Sequence, residues 1–305
     1  MNPKPNPAYH FLALGIVVVW GTTFVSTKIL LNQGLNPQEI FFYRFLLAYL
    51  LMAVYCHRRL LAGSLKDELL LALAGVCGGS MYFYTENTAL TYTATNNIAL
   101  ILCIAPLITA QLLRLFSHSE TTPLSKRFWL GSAIALAGVA CVILNGHFVL
   151  HLSPKGDLLC LAAALSWGFY TVLVKKLEAR YDNLFITRKV FFYGLLTILP
   201  LYLCTFQPQD LEPLRHPVVF GNLLYLGIIA SLLCFLFWNK VLANIDPIQA
   251  TNYIYLSPVV TAAASFLILG EPLTLIMLLG AVLTLGGVYL ASAKKYATFW
   301  LLLQE

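Results

Sequence analysis

Long apolar runs, each bounded by Pro, Gly, Asn or charged residues, recur along the whole chain. A helix rising ~1.5 Å per residue needs about 20 such residues to cross a ~30 Å hydrocarbon core, so each run predicts a membrane-spanning helix. Five predicted spans run at about 9–31, 38–56, 69–90, 93–116 and 128–144, and five more at about 157–174, 183–203, 218–242, 247–269 and 274–293. Residues 1–7 are polar and Pro-rich, and the first run is too long for a signal peptide and lacks a small-residue cleavage site, so it reads as a retained helix. The fold class expected is an all-α integral membrane protein of ten transmembrane helices.

Composition agrees with the pattern. Hydrophobic residues make up 59% of the 305, charged ones 10%, and mean hydropathy is +0.78. A water-facing surface cannot be made from that inventory, which excludes soluble, disordered, disulfide-stapled and nucleic-acid-binding classes. The net charge of +6 is spread rather than clustered, so it is read as topology. With the N-terminus inside, one face carries most of the 19 Lys and Arg, and the opposite face carries Lys28, Lys155 and Arg215. Both termini are therefore expected in the cytoplasm. The seven cysteines lie singly in or beside apolar runs, and no histidine sits mid-run, so neither a metal nor a cofactor is expected.

Self-comparison shows two halves. Trp20-Gly21 and Lys28 of the first run match Trp167-Gly168 and Lys175 of the sixth at an offset of 147 residues. Pro106, Asn87 and Leu90 match Pro258, Asn239 and Leu242 at an offset of 152, and Gly131, Ala135 and Gly138 match Gly280, Thr284 and Gly287 at 149. An odd number of spans per half forces the copies to enter the membrane from opposite faces, an inverted-topology repeat. The expected division is 1–146, 147–293 and an interfacial tail at 294–305.

These residues resemble the drug/metabolite transporter superfamily, EamA type. The likeness rests on the Trp-Gly of spans one and six, on Arg44 and Arg188 early in spans two and seven, on Pro106 and Pro258, and on Leu269-Gly270-Glu271 before the tenth span. In the first half Ser117-His118-Ser119-Glu120 stands where Leu-Gly-Glu belongs. The resemblance implies a secondary transporter of amino acids, related metabolites or drugs, an exporter in a bacterial inner membrane.

Charges inside a span are costly unless they face protein or water, so they mark candidate function. Arg44 and Arg188 could snorkel, form structural ion pairs or bind an anionic group. Lys28, Lys175 and Lys189, nearer helix ends, read as interfacial. Glu86 is the one carboxylate well inside a predicted span, among Tyr82, Phe83, Tyr84 and Asn87. It is a candidate for proton coupling, and a fixed ion pair is the alternative. The substrate pathway is expected from Trp20 with Thr23, Trp167 with Tyr170, Arg44, Arg188, Asn87, Asn97, Asn252 and Tyr255, with Pro106 and Pro258 as helix kinks that free a backbone carbonyl one turn earlier. The small-residue faces of spans five and ten suit packing on a neighbouring helix or dimerisation. The partners expected are a small-molecule substrate and the bilayer, for a monomer or homodimer. An intramembrane lipid-modifying enzyme would need a polar cluster near one face, which is missing from the sequence pattern. A receptor or scaffold would need longer loops.

Overall fold

A computed structural model describes residues 7–55, 60–92, 98, 101–116, 125–144, 153–207, 211–269 and 274–292. Helices account for almost all of them, and there is no strand among the described residues. The expected tail at 294–305 and Asn97 lie outside the described residues.

In chain order the helices are α1 (Pro7–Asn32), α2 (Pro37–Tyr55), α3 (65–92), α4 (Ala105–Phe116), α5 (Lys126–Leu144), α6 (Pro154–Leu177), α7 (Asn183–Thr205), α8 (Pro217–Asn244), α9 (247–269) and α10 (Leu275–Ser292). Proline occupies the first position of α1, α2, α6, α8 and α9, where its missing N–H costs nothing. Ser64, Ser153 and Asp246 accept backbone N–H groups at the starts of α3, α6 and α9. Helices α1, α2, α6, α7 and α8 are long and apolar enough to cross a membrane, and α4 and α10 contain shorter apolar helices. Many large apolar side chains on the outer faces are exposed, among them Leu279, Val282 and Tyr289 of α10, as a lipid-facing surface requires.

The irregularities repeat as well as the helices. A π-helical stretch interrupts α3 at Val76–Ser80 and α8 at Tyr225–Leu233, positions that the 152-residue offset superposes. A 3-10 stretch at Tyr253–Leu256 breaks α9, and a turn at 103–104 stands at the matching place ahead of α4. Pro106 and Pro258 are each the second residue of the α-helical segment that follows, Ala105–Phe116 and Ser257–Leu269.

The two halves do not pack as two separate bodies. Helices α3 and α4 pack on α6, and α3 also on α7, whereas α8 and α9 pack on α1, and α8 also on α2. Each group thus takes two helices from each repeat, and α2 meets α7 between them. The small-residue faces join α5 to α10. A Cβ on Gly138 would lie 2.6 Å from Gly280 O, and one on Gly287 would lie 2.6 Å from Gly131 O, so the two backbones touch. The two crossings are images of each other under the 149-residue offset.

One end of the α3–α6–α7 group is tied by charge. Glu68 pairs with Lys189 and accepts from Tyr193, while Asp67 pairs with Arg180 and accepts from Tyr181 at 2.8 Å. Lys189, expected at the interface, is instead buried in this network because Glu68 neutralises it. Both carboxylates precede the apolar run that begins at Leu69. The Tyr181 hydroxyl, helped by Ser64 and Arg180, holds the Asp67 carboxyl below the usual carboxylate range. Burial pushes Glu68 up, but donation from Lys189, Tyr193 and the Ala62 N–H outweighs it and leaves that group low as well.

Candidate functional site

Between the two helix groups lies a cavity with about 710 Å³ of space not filled by protein atoms, part of it open to solvent. Helices α1, α2, α8 and α9 form one wall, and α3, α6 and the 102–105 stretch the other.

Side chains of both charge types line it. Arg44, about two turns into α2, is 2% exposed and lines the cavity. Its Nε donates to Ser231 Oγ of the α8 π stretch at 2.8 Å, and its guanidinium carbon sits 4.3 Å from the centre of the Phe83 ring. These contacts fix the guanidinium plane. Glu86 of α3 is buried and also lines the cavity, with Oε1 accepting the Tyr82 hydroxyl at 3.0 Å. In a low-dielectric site the field of each charge reaches the other, and Arg44 is the cation that acts on Glu86.

Aromatic rings close the rest. Trp20 and Trp167, the matched tryptophans of α1 and α6, meet edge to face with centroids 5.3 Å apart, and Phe235 packs edge-on against both. Trp20 is anchored by donating Nε1–H to Ala230 O at 3.1 Å. Trp167 is more deeply buried than Trp20, yet its Nε1–H has no acceptor among the described residues. A buried donor without a partner in a cavity wall is available to a ligand.

The structure brings Trp20, Thr23, Arg44, Glu86 and Trp167 together around this cavity. The other described pathway candidates are not among its lining residues. Tyr170 donates to Asn239 Oδ1 at 2.6 Å behind Trp167, and Asn87 donates to Pro37 O at 3.2 Å. Arg188 is buried with its guanidinium 5.4 Å from the Phe185 ring centre. Asn252 and Tyr255 are fully buried, Asn252 just before the irregular part of α9 and Tyr255 within it. Sequence reasoning did not single out Phe235, Cys103, Ile254 or Ser257 as lining residues. Ser257 adjoins Pro258, which is the signal that pointed to this region.

The comparisons with known proteins agree on one assignment. The model of the EamA-like transporter family matches residues 8–144 and again residues 154–293. An uncharacterized transporter of Archaeoglobus fulgidus is 30% identical over 95% of this chain and 99% of its own length. A protein of Salmonella typhimurium named a probable amino-acid metabolite efflux pump is 29% identical over 92% of this chain and 93% of its own length. A probable terminal-alkyne amino-acid exporter of Streptantibioticus cattleyicolor is 26% identical, covering 91% of each chain. A solved crystal structure superposes with a TM-score of 0.76 at 15% identity, covering 95% of this chain and 99% of that one, a likeness of fold.

Proposed function

Since the chain belongs to the EamA-like transporter family, a family of multi-pass membrane proteins, we propose that it exports a zwitterionic amino acid or closely related metabolite from a bacterial cytoplasm. Arg44 and Glu86 lining one aromatic cavity together is the observation that carries this reading. The fork of Arg44, with Nε held by Ser231, presents its remaining donors to a carboxylate, assisted by the unpartnered Nε1–H of Trp167. Glu86 receives the ammonium group. Trp20, Trp167 and Phe235 take up an apolar or aromatic side chain. Each charge of the ligand then satisfies a charge of the wall, which offsets the desolvation of both.

The ten helices span the inner membrane with both termini inside, as the Lys and Arg distribution supports. Transport follows from alternating exposure of the cavity. The bodies that rock are the α1–α2–α8–α9 and α3–α4–α6–α7 groups, whose boundary contains the cavity, rather than the two sequence halves. Glu86 also exchanges a proton in the empty carrier, coupling efflux to the proton gradient. The α5–α10 pair holds the groups together within one protomer, and a monomer suffices for the cycle.

Titration calorimetry on the purified protein tests the ligand class. Phenylalanine should bind, and phenylalanine amide or 3-phenylpropionate, each lacking one charge, should bind at least about tenfold more weakly, since a charge-assisted hydrogen bond contributes roughly 1.5–3 kcal/mol. Equal binding of all three would contradict a two-charge site.

A further inference from the structure

The inverted repeats put matching residues at the two ends of the cavity. Lys28 near the end of α1 corresponds to Lys175 near the end of α6, Leu90 of α3 to Leu242 of α8, and Asn87 of α3 to Asn239 of α8. Because α1 and α8 belong to one helix group and α3 and α6 to the other, the pairs α1–α3 and α6–α8 each straddle the boundary between groups. Both lysines cross it to the carbonyl of the matching leucine. Lys175 Nζ donates to Leu242 O at 3.1 Å, and Lys28 Nζ donates to Leu90 O at 3.5 Å.

The asparagines break the symmetry. Asn239 is fully buried and engaged on both sides of its amide, with Oδ1 accepting the Tyr170 hydroxyl at 2.6 Å and Nδ2 donating to Thr187 Oγ1 at 3.0 Å. Asn183 adds a second bond across the same boundary, donating to Leu236 O at 2.6 Å. Asn87 is 1% exposed, its Nδ2 donates to Pro37 O, and its Oδ1 has no partner among the described residues. Thr23 stands where the repeat places Tyr170, and its hydroxyl is turned back to Trp20 O in its own helix at 2.7 Å. A buried amide oxygen left without a donor is unfavourable, so the Asn87 end is strained relative to a state in which a donor reaches it.

We propose that Asn239 with Tyr170 and Lys175, and Asn87 with Lys28, are paired latches at opposite ends of the cavity that engage in alternation. In this structure the Lys175 latch is fully engaged, and the Lys28 latch is only partly engaged: Lys28 and Asn87 Nδ2 still reach across the boundary, while Asn87 Oδ1 is left without a donor among the described residues. In the opposite state Asn87 Oδ1 gains a donor across the boundary while the Tyr170–Asn239 bond opens. None of Asn87, Tyr170 or Asn239 touches the cavity, so they are positioning residues that set which face is open. The inference rests on the alternating-access reading above.

The test uses full-length protein in oriented vesicles, with Ser257→Cys in the cavity wall as reporter and reaction at that thiol read by peptide-resolved mass spectrometry. A membrane-impermeant maleimide is added from one face or the other. Tyr170→Phe removes only the hydroxyl and makes the Asn239 end resemble the Asn87 end. It should raise reaction from the Lys175 face roughly three- to tenfold, the factor one neutral hydrogen bond commands. Asn87→Leu removes the acceptor needed to close the Lys28 end and should lower reaction from the Lys175 face, a shift of opposite sign that a general loss of packing would not produce. Reaction from both faces with a ratio unmoved by Tyr170→Phe, or both variants shifting it in the same direction, would overturn the latches alone. Reaction confined to one face in the parent and in both variants, with phenylalanine present or absent, would overturn alternating access and the latches with it.

Discussion

Arg44→Leu is expected to abolish measurable phenylalanine binding while the protein remains folded. Leucine keeps much of the apolar stem, so the wall around Phe83 stays filled, but the fork is gone. The direct loss is a charge-assisted contact to the ligand carboxylate, about 10- to 100-fold in affinity at roughly 1.5–3 kcal/mol. A second loss comes from Glu86, which keeps its place in the buried wall without the cation whose field supports its charge. Arg44→Lys retains the charge but neither the planar fork nor the Nε bond to Ser231, and should fall between the two. Arg188→Leu supplies the contrast. Arg188 lies outside the cavity lining, so its removal should lower the melting temperature with little change in affinity. Calorimetry and a thermal melt on the same preparations check all three, and an Arg44→Leu protein that binds as the parent does would remove Arg44 from the site.

The largest effect on stability is expected at Gly138. A side chain there would place its Cβ 2.5 Å from Thr284 N and 2.6 Å from Gly280 O, closer than real Cβ atoms approach backbone. Helices α5 and α10 would have to separate along the face that joins them. Overpacking a core commonly costs about 1–3 kcal/mol, and here the obstacle is main chain, which cannot rotate away as a side chain does. Gly138→Leu should therefore yield little monodisperse protein in detergent, and Gly138→Ala should already lower the melting temperature by several degrees. Gly286 of α10 is the control. Nothing lies within 4 Å of a Cβ built there, and alanine favours a helix over glycine by about 1 kcal/mol, so Gly286→Ala should be neutral or slightly stabilising. Size-exclusion profiles and melts of the three variants read this directly.

The helical class and the duplication were legible because both are written in order along the chain. Tryptophan, proline, asparagine and glycine recur at nearly fixed offsets, and the structure adds matched π stretches and a 3-10 stretch matched by a turn. Arg44, Glu86, Trp20, Thr23 and Trp167 were legible as candidates because charge and paired Trp-Gly are conspicuous in apolar surroundings, and the structure gathers them around one cavity. The exchange of helices between the groups was not legible. In a bilayer the lipid-facing and the buried sides of a helix are both apolar, so hydrophobic periodicity does not say which neighbour a helix meets. Phe235 escaped notice for the same reason, since an aromatic on a cavity wall reads like one in lipid. The pairing of Asp67 and Glu68 with Arg180 and Lys189 joins residues more than a hundred positions apart, and along the chain each charge reads only as topology.

The account is tested most directly by efflux of labelled phenylalanine from proteoliposomes under an imposed pH gradient, with the parent protein beside Glu86→Gln. A carrier that works as proposed releases the label faster than protein-free liposomes and faster still with the gradient, while Glu86→Gln remains folded and no longer responds to it. Release at the protein-free rate by parent protein that binds phenylalanine, or an undiminished gradient response in Glu86→Gln, would contradict it.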